Sequence, residues 1–212
     1  TGLDERSPQA KAEHKLVRSV IRQLTQRAHT TVVIVSGRDH TVLAQRFKGL
    51  DCALAAEHGL WLKDAQQRNW TMVEAMDERW KKPVRSLFQA AARTTPGSWF
   101  EEKPYSFVWH HRTKTNQPLL IKLRKLTKRY PVRIIRGRAL IELLPANINK
   151  GRAAQYWLKR QRNSVIIAAG DERTDEDLFA VLPPQAVTIK IQPGLSLAHY
   201  QLPNCQALRD LL

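Results

Sequence analysis

Val165-Ile-Ile-Ala-Ala-Gly170-Asp171-Glu-Arg-Thr-Asp175-Glu-Asp-Leu-Phe179 is the stretch that decides the fold. A short apolar run ended by glycine reads as a buried strand of a parallel sheet. Thr174, followed by Asp175, Glu176 and Asp177, reads as a helix start with a cap residue and acids in the first turn. Asp171 then stands at the carboxyl end of the strand, where open α/β sheets bind ligands. Five acids fall between Asp171 and Asp177. Such a cluster is costly without a cation among them. Mg2+ takes one or two carboxylates together with phosphate and water. The positive end of a helix accounts for Glu176 and Asp177. Asp171, directly after glycine, has no capping task of its own.

Before this stretch, Asn149-Lys150-Gly151 opens a helix carrying Ala153, Ala154, Tyr156, Trp157 and Leu158 on its apolar face. A lysine in a first helical turn is disfavoured by the dipole, unless an anion sits beside it or the side chain turns out to water. After the acidic stretch, Ala186–Ile191 reads as a strand and Cys205–Leu212 as a terminal helix. Near the beginning, an amphipathic helix is expected over residues 8–28. The β-branched strand Thr31–Ser36 follows, and then Gly37-Arg38-Asp39. Ser36 and Gly37 make a strand-end turn able to offer a hydroxyl and backbone N–H groups to an anion. A short helix over 40–48 leads to the strand Cys52–Ala56 and the polar turn Glu57-His58-Gly59.

The texture changes after Gly59. Trp61, Trp70, Trp80, Trp99 and Trp109 all lie in the next stretch. The spacing predicts a helix over 72–94, strand-like runs on either side of Lys103-Pro104, a helix over 116–129 and a hairpin turning at Gly137-Arg138. Tyr105, Phe107 and Trp109 alternate with Ser106, Val108 and His110, which suits an antiparallel strand with one solvated face. The fold class is therefore α/β, a three-layer Rossmann-like core of parallel strands. Residues 1–59 and 147–212 form the core and residues 60–146 an inserted α+β lobe.

The 212 residues suffice for a real hydrophobic core. No window approaches a membrane span, no apolar leader opens the chain, and Cys52 and Cys205 make no disulfide framework, so a cytoplasmic protein is expected. The net charge is +16, and residues 60–146 hold 18 Lys and Arg against 7 Asp and Glu, which is +11 of it. Such a lobe attracts anions or serves as a solvated surface. No nucleic-acid module is present, and nucleic acid is not an expected partner.

Ser36, Lys150 and Asp171 supply a hydroxyl, a cation and a metal-binding carboxylate, a set suited to a phosphoryl group held with Mg2+. The chain resembles the haloacid dehalogenase superfamily, and within it the trehalose-6-phosphate phosphatases, including the phosphatase domains of two-domain trehalose synthesis proteins. The matching pieces are Val35-Ser36-Gly37-Arg38, Glu57-His58-Gly59, Pro96-Gly97-Ser98 with Glu101-Glu-Lys103, Ser106–Arg112, Glu142 with Pro145–Gly151, and Gly170–Phe179. The resemblance runs from about residue 8 to the end. It implies a Mg2+-dependent phosphatase that hydrolyses trehalose 6-phosphate through an aspartyl-phosphate, with an upstream synthase domain as a potential neighbour. It further implies phosphate binding by Ser36, Gly37 and Lys150. Asp171 would hold the metal, with Asp175 supporting the ligand shell. The inserted lobe would be the cap over the sugar, where Glu101, Lys103 and Glu142 bind it, with Arg112 and His58 as further substrate contacts.

The chain departs from this pattern in one respect that matters. The family's Asp-x-Asp-Gly-Thr motif, which brings the aspartate nucleophile and the acid/base, is not found in these residues, nor is the core strand that carries it. Asp4-Glu5 follows no strand and has the wrong spacing. One reading is a fragment of a larger enzyme. The other is a non-catalytic regulatory or scaffolding homologue of the same fold. Glu172 is a milder departure, where the family often has Asp.

Overall fold

The structure is a computed structural model that describes residues 8–73, 77–112, 116–137, 139–161 and 164–212. Asp4-Glu5 and Arg138 lie outside the described residues. The elements run α1 (Pro8–Gln26), β1 (Val33–Val35), α2 (His40–Arg46), β2 (Ala53–Ala56), β3 (Trp61–Lys63), β4 (Thr71–Met72), α3 (Lys81–Thr94), β5 (Trp99–Glu102), β6 (Phe107–His110) and α4 (Gln117–Arg129). They continue with β7 (Val132–Arg136), β8 (Leu140–Pro145), α5 (Lys150–Leu158), β9 (Ile167–Gly170), α6 (Glu176–Phe179), β10 (Val187–Ile191), β11 (Tyr200–Leu202) and α7 (Cys205–Leu211).

Two compact units share the chain. The first takes the described residues up to Val73 together with Asn149–Leu212, and the second those from 77 to Ile148. The division falls after Val73 and not after Gly59. The reason is backbone pairing: β3 is antiparallel to β2, matching Leu62 with Ala55, and β4 pairs β3 in turn. That hairpin occupies the start of the helix expected over 72–94, so α3 begins only at Lys81.

In the first unit, β1 and β2 are parallel, and β10 lies between β9 and β11 in a second parallel sheet. Helices from the intervening segments cover these strands, as parallel connections require. β9 differs from the buried strand expected. Val165 is 87% exposed and Ile167 56% exposed. The physical reason is that β9 pairs only with β10 among the described residues, so its other side is an edge. β1 is likewise paired on one side only, with β2. A cavity of about 250 Å³ is lined from both edges, by Val33 and Val35 of β1 and by Ile167 and Ala169 of β9, with Trp157 and Leu178 beside them.

The second unit is an antiparallel sheet in the order β5-β6-β8-β7. One face packs Phe107, Trp109, Ile141 and Leu143 against Val84 and Phe88 of α3 and Leu120 and Leu123 of α4. The opposite face carries Trp99, Glu101, Val108, His110 and Glu142, since Glu101 pairs Val108, which pairs Glu142. This face was expected to be solvated in β6. Val108 and Ser106 are instead buried, and only His110 is partly open. Among the described residues no helix is long and apolar enough to cross a membrane.

Candidate active site

Ser36 follows β1, and its backbone is fixed across the strands. Its N–H donates to the Ala55 carbonyl at 2.9 Å, and its own carbonyl accepts from His58 N–H at 2.9 Å. The Ser36 hydroxyl oxygen accepts from Arg38 N–H at 3.2 Å, which leaves the hydroxyl proton to donate elsewhere. Gly37 is required by close approach, because a Cβ there would lie 2.6 Å from the His58 ring. Glu57 and His58 are both buried and both hold positive φ angles, 48° and 58°. Non-glycine residues in that region store strain and cluster at functional turns.

Lys150 is the first residue of α5, behind the Asn149 N-cap, whose side chain accepts from Arg152 N–H. It is 4% exposed and does not turn out to water. Its ammonium donates to Asp175 Oδ1 at 2.8 Å and lies 3.4 Å from Glu172 Oε2. Asp175 is buried, and its Oδ2 accepts from Glu172 N–H at 2.8 Å. Both Asp175 oxygens therefore have partners. Asp175 thus holds Lys150 and supports the acidic loop. Gly170 makes this possible, since a Cβ at that position would lie 2.2 Å from Asp175 Cγ.

The helix start also differs from the one expected. Glu172, not Thr174, is the cap, and it forms a reciprocal capping box with Asp175 over the 3-10 turn Arg173–Asp175. Thr174 instead donates its hydroxyl to Glu172 Oε2 at 3.2 Å. Burial pushes the Glu172 carboxyl up. The Lys150 charge and hydrogen bond, the Thr174 hydrogen bond and the His58 charge outweigh that, and its pKa lies below the ordinary value. His58 belongs to the first unit, its ring lying over Gly37. Glu176 opens α6 and accepts from Ser196 Oγ at 2.9 Å and from Leu197 N–H at 2.7 Å.

Asp171 is exposed, and its carboxylate has no hydrogen-bond partner among the described residues. An unencumbered hard-oxygen donor of this kind fits a hydrated divalent cation. A second convergence went unread in the sequence. Oxygen or nitrogen atoms of Asp39, His40 and Glu57 lie within 4.8 Å of one another, with His40 Nδ1 3.3 Å from Glu57 Oε1. Asp39 is also the N-cap of α2, accepting from Thr41 and Val42 N–H. An Asp-His pair at a helix start with a distant Glu gives no periodic signal in the chain.

In the second unit, Glu101 Oε2 lies 2.8 Å from His110 Nε2, and Lys103 Nζ lies 4.0 Å from Glu142 Oε1. Trp99 is half exposed and stacks on His110 at 4.6 Å and 11°. Arg112 is exposed beside Gly97. Glu101, Lys103 and Glu142 thus share one charged neighbourhood, with His110 as a member that the motif spacing alone did not single out. The His110 hydrogen bond holds the Glu101 carboxyl below its usual range, against the upward push of burial. Lys103 and His110 charges act in the same direction, and the Glu142 charge opposes them.

A depressed folded-state pKa contributes stability that is present above the unfolded carboxylate pKa and is lost as pH falls through the folded value. Denaturation midpoints of the native chain and of Glu101→Gln are therefore expected to draw together as pH falls below the ordinary carboxylate range and to converge only once it has passed through the lowered folded-state value, where the carboxylate is protonated in either state. The effect is small because Glu101 is nearly half exposed and screened. A midpoint difference that does not change with pH would contradict the ion-pair account.

Comparison with known proteins adds family to geometry. The family model for trehalose-phosphatase matches residues 3–201. A bifunctional trehalose-6-phosphate synthase/phosphatase of Thermoproteus tenax is 31% identical over 200 residues, 91% of this chain and 27% of that protein. A trehalose-phosphatase of Schizosaccharomyces pombe is 32% identical over 234 residues, 98% of this chain and 28% of that one. The chain thus spans roughly a quarter of the length of these curated relatives. The C-terminal domain of Candida albicans trehalose-6-phosphate phosphatase superposes with a TM-score of 0.81 at 22% identity, covering 92% of this chain and 81% of that one. Aspergillus fumigatus trehalose-6-phosphate phosphatase gives 0.68 at 25% identity, covering 97% and 84%.

Proposed function

Because this chain belongs to the trehalose-phosphatase family, we propose that it forms the phosphate-, metal- and sugar-binding frame of a phosphatase that hydrolyses trehalose 6-phosphate to trehalose and phosphate. The observation that carries the reading is the buried Lys150 ammonium at the start of α5, paired with Asp175, a residue of the same loop as the open Asp171 carboxylate. A positive charge held rigidly in a dry site is worth more to a phosphoryl group than the same charge in water. The Ser36 hydroxyl and the Gly37 turn would donate to the phosphate oxygens, and Lys150 would neutralise their charge. Asp171 would hold Mg2+, which when bound supplies further neutralisation of the phosphoryl oxygens. Glu101, Lys103 and Glu142 would hydrogen-bond sugar hydroxyls, with Arg112 as a further contact. His58 would act by shaping the phosphate turn, given its burial against Gly37.

The reaction proposed passes through an aspartyl-phosphate, and covalent catalysis needs a nucleophile. The Asp-x-Asp-Gly-Thr motif that would bring it is not among these 212 residues. Among the described residues β1 and β9 each pair on one side only, and the cavity lined from both supports a strand pairing there with the nucleophile at its end. The residues as given are therefore expected to release no phosphate from trehalose 6-phosphate. A form that also carries an upstream strand with Asp-x-Asp is expected to release it in the presence of Mg2+. Turnover by the 212 residues alone would refute the first expectation. The alternative is a regulatory or scaffolding homologue, favoured only by the absence of the Asp-x-Asp-Gly-Thr motif here. An extended form that carries the motif and stays inactive would decide for it.

A further inference from the structure

Lys190 is a buried charge to which no role has yet been assigned. It is the fourth residue of β10, paired in register with Gly170 of β9, and it is 9% exposed. A buried ammonium is costly unless each of its donors is used. Lys190 Nζ donates to the Asp171 carbonyl at 2.7 Å and lies 3.5 Å from the Glu172 carbonyl and 3.9 Å from Glu176 Oε1. The shortest of these contacts is to the main chain of the acidic loop, not to a side chain.

The consequence lies in the peptide unit that joins Asp171 to Glu172. Its carbonyl accepts from Lys190, and its N–H donates to Asp175 Oδ2 at 2.8 Å. Asp175 in turn holds Lys150 through its other oxygen at 2.8 Å. One peptide plane is thus gripped at both ends, with a lysine at either end of the chain of bonds. Donation to a carbonyl polarises the amide and strengthens the bond its N–H makes. Holding that plane also fixes where the Asp171 side chain leaves the backbone.

We propose that Lys190 is a positioning residue for the phosphoryl-transfer site: by clamping the Asp171–Glu172 peptide it sets the Asp171 carboxylate and, through Asp175, the Lys150 ammonium. This inference rests on the roles given above to Asp171 and Lys150. The competing role is structural, in which Lys190 anchors Glu176 and with it the Ser196–Leu197 segment. The distances favour the clamp.

The test uses the whole phosphatase, extended to include Asp-x-Asp, with Lys190→Met, which keeps the aliphatic stem and removes the donors. Mn2+ binding is followed by the spectrum of the free ion without substrate, and orthophosphate binding by competitive inhibition. Residues that orient a metal ligand typically contribute 10–100-fold to metal affinity. Mn2+ affinity is expected to fall about 10-fold, and orthophosphate is expected to bind more weakly as well. Ser196→Ala, which removes a Glu176 contact, is expected to leave both affinities unchanged. If Lys190→Met lowers only the unfolding midpoint and leaves both affinities intact, the structural role stands and the inference is overturned. If the methionine variant does not fold, Lys190→Gln is read by the same two affinities. A native protein that binds orthophosphate but no Mn2+ removes Asp171 from the metal role, and the inference is then decided by orthophosphate alone.

Discussion

Replacement of Asp171 by alanine in the active phosphatase is expected to lower Mg2+-dependent turnover on the order of 10³-fold, or about 4 kcal/mol of transition-state stabilisation. The expectation has an unusual control built into it. Asp171 is exposed, and its carboxylate bonds to no described residue. Its carbonyl, which Lys190 holds, survives the substitution. No cavity opens and no buried group loses its partner. Folding stability should therefore stay within about 0.5 kcal/mol, as for a surface substitution away from structural features. Loss of turnover at constant stability separates a chemical role from a structural one. Asp171→Asn keeps one neutral oxygen donor and should retain more Mg2+ response than alanine. Unchanged turnover in Asp171→Ala would sink the metal assignment, whatever the outcome at Lys190.

The place of Asp171 directly after a strand is legible because its signal is local: an apolar run, a glycine and an acid in sequence. Lys150 was readable for a similar reason, as a charge of the wrong sign for its helical position. The antiparallel lobe was visible in its alternation and in the Lys103-Pro104 break. What the chain hid was set by partners far away in sequence. That Asp175 grips a lysine depends on a side chain 25 residues away. The Glu172 cap displaced Thr174 because its carboxylate is also drawn to Lys150, so a tertiary ion pair overrode the local preference for a hydroxyl cap. Lys190 gives no local signal, because its target is a main-chain carbonyl 19 residues earlier. The exposure of Val165 and Ile167 is likewise invisible in composition. Burial of a strand depends on which neighbours pair with it, and β9 has one among the described residues.

Lys150 and Asp175 are expected to show opposite behaviour as single and as paired substitutions. Their side chains are 5% and 7% exposed, so each charge is almost wholly out of water and relies on the other. Lys150→Met strands the Asp175 carboxylate in the interior. Breaking a buried pair from one side typically costs about 3–5 kcal/mol, because an uncompensated charge remains. A loss of that size should appear in urea denaturation of the 212-residue chain without any assay of function. The helix dipole adds to the asymmetry, since Lys150 stands at the positive end of α5 and Asp175 is what offsets it there. Adding Asp175→Asn removes the stranded charge while its amide oxygen still accepts from Glu172 N–H, so most of the lost stability should return. A buried ion pair replaced as a unit is often neutral. Orthophosphate binding should not return, because the doubly substituted protein has a quiet interior and no ammonium. If the double variant is as unstable as Lys150→Met, the pair is not the source of the loss. If it binds orthophosphate as the native chain does, Lys150 is an interior strut and the phosphate is held elsewhere.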